Sequence, residues 1–204
     1  MEIIPSHGDV LGLLRDTGAL RRGHFSYPNG LHSQDYLQVA LAMRYYQHAK
    51  VLSVGLSRKF RANSELHAMI SELSIVAPAT GGLPVAYGVC EALRARQVYW
   101  AEREIPDQPM RFRQFMDRHD GEKVLLVDDI LRTGSKMQQM KKLCEDAGAE
   151  VVGIGVMIYQ PTPKTPNFDP LPLYSLARLD GDYYTDEGSC ELCKRGIPVE
   201  EVWI

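Results

Sequence analysis

Residues 124–136 read VLLVDDILRTGSK: an apolar run, two adjacent acids, two more apolar residues, then a polar turn with arginine, threonine, glycine, serine and lysine. An unbroken apolar run of this length suits a strand buried on both faces of a parallel sheet. Asp128 and Asp129 are therefore expected at the C-terminal strand edge, with the turn at 131–135 opening a helix. The first amides of a helix lack internal partners and sit at the positive end of its dipole, which makes this turn a site for a phosphate monoester. Gly134 lets the backbone come close, Thr133 and Ser135 add hydroxyl donors, and Lys136 or Arg132 adds charge. Two carboxylates directly before such a cradle repel the phosphate itself, so they must serve something slightly further off. Ribose hydroxyls and a hydrated magnesium ion are the candidates.

The elements that must position this loop are legible as alternation. Apolar segments at 74–77, 98–101, 123–127, 151–158 and 173–179 recur between helical patterns, which argues for a mainly parallel sheet. Residues 84–95 put Val85, Val89 and Ala92 at helical spacing behind Pro84, and Met137, Met140, Cys144 and Ala147 repeat the pattern up to the stop at Gly148. Leu66, Met69, Ile70 and Leu73 predict a further amphipathic helix capped by Asn63 or Ser64. The first 45 residues also read as helical, with a break at 22–29. Segments 105–120 and 160–172 mix prolines with charge and are candidate mobile loops at the strand ends, where α/β enzymes place ligand contacts. One domain, with a small subdomain built from the two termini, is the economical organisation.

Composition narrows the chemistry. At 204 residues, 45% hydrophobic and 24% charged, the chain is large enough to bury a core without staples. A net charge of −3 provides no global positive field, so no nucleic-acid partner is expected and any anion must be met locally. The apolar-rich stretch at 151–159 is far short of the ~20 residues of a membrane helix, so no membrane partner is expected and the cytoplasm is the expected location. Cys90 and Cys144 fall on apolar helix faces and read as core thiols. Cys190-x-x-Cys193 has the spacing of half a zinc site, but a closed site wants four ligands and no second cysteine pair exists in the chain; the alternative is a reduced pair on a C-terminal turn. His24 and His32 read as surface or core-edge residues, and Phe25, Tyr27 and Tyr36 as core aromatics or ligand contacts. P-loop, zincin and serine-hydrolase elbow motifs are missing.

The 124–136 segment resembles the phosphoribosyl pyrophosphate signature of type I phosphoribosyltransferases. Resemblance to the orotate phosphoribosyltransferases among them extends further. Residues 18–36, GALRRGHFSYPNGLHSQDY, resemble that family's N-terminal hood motif; 77–86, APATGGLPVA, its pyrophosphate loop; 100–104, WAERE, the strand end before its catalytic loop. The Cys-x-x-Cys-x-x-Gly-x-Pro ending at 190–198 is similar to the tail of one bacterial subclass. The resemblance implies a type I phosphoribosyltransferase fold, an α/β domain over 1–204 with a central mainly parallel sheet flanked by helices. Its core would span about 46–159, with a hood from about 1–45 and 160–204.

The implied activity is displacement of diphosphate from C1 of the donor ribose by a nucleobase nitrogen, with orotate giving orotidine 5'-monophosphate. Asp128, Asp129 and Arg103 are the implied catalytic residues. The donor would be held by Asp128, Asp129, Ile130, Leu131, Arg132, Thr133, Gly134, Ser135 and Lys136, by Ala79, Thr80, Gly81 and Gly82, and by Arg103, Arg111 and Arg113. Phe25, Tyr27, Arg132 and Gln160 would meet the base, and Asp128 and Asp129 would hold Mg2+ through water. A homodimer is also implied.

Departures from the family pattern concern the loop and the base. No lysine lies between Ala101 and Asp120, leaving Arg103, Arg111 and Arg113 to neutralise a leaving diphosphate, with Asp107 working against them. Where the family has a threonine that touches orotate, this chain has Arg132; where it has an arginine that pairs with the orotate carboxylate, this chain has Gln160. The reciprocal change suggests that the carboxylate-binding arginine has moved to Arg132. A purine or other-base transferase, and a non-enzymatic sensor of the donor or a nucleotide, remain the alternatives.

Overall fold

In the computed structural model, residues 4–28, 30–105, 108–112, 120–163 and 165–202 are described. The chain runs α1 (His7–Asp16), β1 (Leu20–Ser26), β2 (His32–Leu37), α2 (Ala40–Met43), α3 (Tyr46–Arg61), α4 (Ser64–Ala68), β3 (Ser74–Pro78), α5 (Gly82–Leu93) and β4 (Gln97–Glu102). It continues through β5 (Arg111–Phe112), β6 (Lys123–Leu131), α6 (Ser135–Asp146), β7 (Glu150–Tyr159), β8 (Leu173–Arg178), β9 (Tyr183–Tyr184), α7 (Glu191–Lys194) and β10 (Glu200–Glu201). The five apolar segments of the sequence all become strands of one sheet, ordered β5-β4-β3-β6-β7-β8 and parallel except for β5.

Alternate residues of these strands enter two different cores. Ile75, Ala77, Leu125 and Val127 bury against Leu52, Leu56 and Phe60 of α3 and Val85 and Val89 of α5. Val76, Val124, Leu126, Ile154 and Val156 bury on the other face against Met137, Met140 and Cys144 of α6. Each such side chain contributes about 1.5–3 kcal/mol by leaving water, which holds the strand ends in fixed relative positions. Gly155 of β7 lets α3 lie close on the sheet: a Cβ there would collide with the Phe60 ring. Among the described residues, no helix is long and apolar enough to cross a membrane.

Two sequence expectations change. The first 45 residues are not mainly helical: β1 and β2 form an antiparallel hairpin, closed where Tyr27 N–H donates to Leu31 O and Gly30 adopts φ +79°. Residues 20–26 are so polar that they show no apolar alternation, because the hairpin belongs to a thin second sheet, ordered β10-β1-β2-β9, rather than to the main core. The helix expected from Leu66 to Leu73 stops at Ala68 and gives way to a 3-10 turn at Ile70–Glu72, with Asn63 as its cap through Oδ1 to the Leu66 N–H at 3.0 Å. Hairpin residues Leu20 and Leu37 still join the cluster that contains Leu52 and Phe60, so the two sheets share a core.

Gly155→Val is expected to cost about 1–3 kcal/mol of stability, because the ring of fully buried Phe60 has nowhere to retreat. Urea denaturation checks this; an unchanged midpoint would show that α3 does not lie on β7 as described.

Candidate active site

The order of the sheet reverses between β3 and β6, the place where open α/β sheets bind ligands. Pairing of β6 with β3 ends at Val76–Leu126, while pairing with β7 continues through Asp128–Val156 to Leu131–Tyr159. The two acids thus stand inside the second half of β6, with Ile130 and Leu131 still in the strand after them, because β7 keeps them in register after the pairing with β3 has ended. The space left on the β3 side is filled by the turn into α5. A Cβ on Gly81 would lie 2.8 Å from Asp129 Oδ2, and one on Gly82 would lie 2.9 Å from Pro78 Cδ and 3.2 Å from Asp128 Oδ1. Only glycine fits this approach of backbone to carboxylates. The Ala79–Thr80 peptide in the same turn is cis.

Asp128 is buried, and its Oδ1 accepts from the Asp129 N–H at 2.8 Å, while Asp129 Oδ1 accepts from the Ile130 N–H at 2.8 Å. Burial pushes the Asp128 carboxyl well above the usual carboxylate range; the charge of Asp129 adds to this, and Lys136 opposes it. A cation between the acids and Lys136's cradle would favour the ionised pair.

The cradle itself follows Leu131. Gly134 takes φ +73° at the start of α6, and a Cβ there would strike Pro166 Cδ at 2.7 Å and Phe168 Cζ at 3.2 Å. Thr133, Ser135 and Lys136 remain exposed. The segment after β7 therefore covers the glycine while leaving the donors open, and Thr165 Oγ1 donates to the Arg132 carbonyl to hold the cover down. Beside the cradle, Ala79, Thr80, Glu102, Arg103, Met110 and Lys136 line a cavity of about 200 Å³. Arg103 is tied to α6 through Gln139 Oε1 at 2.9 Å, and Gln139 Nε2 reaches Ser135 Oγ at 3.3 Å. Arg111 is instead in an exposed ion pair with Glu104 at 2.8 Å. Arg113 lies outside the described residues. A larger cleft of about 450 Å³ opens at the opposite, N-terminal edge of the sheet beside Glu72, Arg96 and Glu122, away from the acids and the glycines.

Arg132 leaves the cradle and crosses to the small sheet. Its Nε donates to Gln160 Oε1 at 2.8 Å, a terminal nitrogen donates to Leu37 O at 2.8 Å, and the guanidinium stands 5.8 Å from the centre of the Tyr27 ring. Gln160 is fully buried, and its Nε2 has no partner among the described residues. Burial pushes the Tyr27 phenol up and the Tyr183 phenol up to about 12, with Arg132 opposing both shifts. Both phenols stay neutral near pH 7, so neither competes as an anion for Arg132. Phe25 packs with Tyr27, Tyr36 and Val202 in the core of the small sheet. Tyr183, Gln139 and Thr165 were not singled out from the sequence: Tyr183 sits in a two-residue strand too short to show a pattern, and the other two act only through neighbours. Cys190 and Cys193 lie beside His24 and His32, both of which are buried rather than at the surface.

The family described as "Phosphoribosyl transferase domain" matches residues 55–169. An orotate phosphoribosyltransferase of Thermoanaerobacter sp. is 32% identical over 191 residues, covering 94% of this chain and 94% of that protein. One from Thermotoga maritima is 34% identical over 189 residues, covering 93% and 94%. The crystal structure of orotate phosphoribosyltransferase from Aeropyrum pernix superposes with a TM-score of 0.63 at 20% identity, over 83% of this chain and 93% of that one, a likeness of fold.

Because the folded state favours a neutral Asp128, the stability this group contributes is present below the ordinary carboxylate pKa and is lost as pH rises through the elevated value. Asp128→Asn is therefore expected to be more resistant to urea than the wild type at neutral pH, with the difference vanishing below about pH 4. Equal or lower resistance at neutral pH would mean that the carboxylate is not held at a cost.

Proposed function

The chain belongs to the phosphoribosyl transferase family, and from that premise we propose that it transfers the 5-phosphoribosyl group of phosphoribosyl pyrophosphate to orotate, releasing diphosphate and orotidine 5'-monophosphate. The observation that carries the choice of base is Arg132, anchored by Gln160 and Leu37 and set over Tyr27 where the two sheets meet. Those two bonds use two of the five guanidinium donors, leaving others to pair with a planar carboxylate. The unpartnered Gln160 amide adds a donor for a ring carbonyl.

In the reaction, the bond from C1 to the diphosphate oxygen breaks, a ring nitrogen of the base bonds to C1, and that nitrogen's proton is lost to solvent. Charge builds up at an oxocarbenium-like ribose and on the leaving group, so catalysis rests on positioning and electrostatics. Thr133 to Lys136 hold the 5-phosphate, Asp128 and Asp129 face the ribose diol, and the Ala79–Gly82 turn with Arg103 receives the diphosphate. Arg111 joins only if it leaves Glu104. The adjacent carboxylates are hard oxygen donors that fit a hydrated Mg2+, which would supply charge neutralisation for the diphosphate. The small sheet serves as the hood over the base. A homodimer would cover the exposed Tyr45, Tyr46 and Tyr87, and the free thiols accord with the cytoplasm.

Arg132→Ala is expected to raise the KM for orotate about 10–100-fold, as loss of a charge-assisted pair costs about 1.5–3 kcal/mol, while the KM for the donor stays within about twofold. Equal orotate affinity in both proteins would sink the assignment of Arg132. Diphosphate release with a panel of bases tests the reaction itself: turnover with orotate supports it, turnover with a purine alone replaces the acceptor, and no turnover with any base favours a sensor.

A further inference from the structure

The geometry points to a structural zinc site formed by His24 Nε2, His32 Nδ1, Cys190 Sγ and Cys193 Sγ, outside the catalytic cleft. All four atoms lie within 4.8 Å of one another. His24 Nε2 is 2.9 Å from His32 Nδ1 and 3.5 Å from each sulfur, and Cys193 Sγ is 3.4 Å from His32 Nδ1. Zinc bonds of about 2.0–2.1 Å to nitrogen and 2.3 Å to sulfur set the edges of a tetrahedron at roughly 3.3 Å for N···N and 3.6 Å for N···S. These three nitrogen–sulfur distances match this, and the nitrogen pair needs to open by only a few tenths of an ångström.

The surroundings select the ligand atoms. His24 Nδ1 donates to Ile197 O at 2.7 Å, which leaves the Nε2 lone pair facing the cluster. Three further polar atoms crowd that one lone pair, more than it can accept from as hydrogen bonds. A single cation instead engages one lone pair from each of the four groups. His24, His32 and Cys190 are buried, and two thiolates with two imidazoles form a tetrahedral set suited to zinc, with no open position for a reactant. The β1 bulge between Arg22 and Phe25 aims His24 inward, and the turn at α7 presents both sulfurs to it. Bound zinc would clip α7 to the hairpin, next to the β1–β10 pairing that begins at Phe25 and at His32, which also pairs with Tyr184 of β9.

The test uses the full-length chain purified without a polyhistidine tag and under reducing conditions. Elemental analysis is expected to return one zinc per chain, and the cobalt-exchanged protein is expected to develop a thiolate-to-cobalt charge-transfer band with the intense ligand-field bands of tetrahedral Co(II). Cys193→Ser should weaken that charge-transfer band and reduce cobalt affinity by more than the ~10–100-fold that loss of an outer-shell partner costs. Asp128→Asn should retain one zinc per chain, which separates this site from the acids of the cleft. The proposal is overturned if reduced wild-type protein binds neither zinc nor cobalt, if cobalt binds without a thiolate band, or if the chain isolates with a Cys190–Cys193 disulfide.

Discussion

Everything in the cleft depends on two carboxylates meeting two glycines where the sheet order reverses. Asp128 and Asp129 can stand there because β7 keeps β6 extended after its pairing with β3 has ended, and the turn into α5 can approach them because Gly81 and Gly82 have no side chains. A buried acid beside another acid is costly to fold. That the arrangement exists at the C-terminal edge of the sheet, next to a helix start that gathers anions, is the pattern expected of a working site rather than of a core. The flanking helices are packed to make the edge rigid: α3 and α5 on one face and α6 on the other fix the strand ends to which the loops are attached.

Labour is divided between the two sheets. In the proposed reaction the acids, the cradle and the glycine turn that would meet the donor all come from the large sheet. The proposed acceptor half is composite, with Gln160 and Arg132 from the large sheet and Tyr27 and the Leu37 carbonyl from the small one. Arg132 belongs by sequence to the first half and by its contacts to the second. The shared core of the hairpin and α3 keeps the halves from drifting apart.

Legibility in the sequence follows the same division. Strands β3, β6 and β7 are readable because they are buried on both faces, and the half-buried β4 and β8 by their apolar residues, so that the acid pair and the glycine turn fall near strand ends by simple counting. The exchange of arginine and glutamine at 132 and 160 is visible as a reciprocal change, and the fold brings the two side chains into a hydrogen bond. The hairpin is not readable, since Arg21, Arg22 and Gly23 and the bulge in β1 mask the alternation. Nor is the meeting of Cys190 with His24, which lie 166 positions apart and are joined only by the tertiary fold. Arg111 has the right charge but sits on a short edge strand, where a neighbouring glutamate reaches it first.

The bulge in β1 carries one more implication. Gly23 and His24 together oppose the single residue Gln34, so neighbours His24 and Phe25 can both be buried, one among the sulfurs and the other among the aromatics. Many substitutions along this hairpin would leave that count intact, but removing one residue would not. A deletion at 23 would slide Leu20 off Leu37 or turn His24 away from its cluster, since register in a strand shifts as a whole. The hairpin is thus tolerant in composition and strict in length, so drift among descendants of this chain can alter its letters more freely than its spacing.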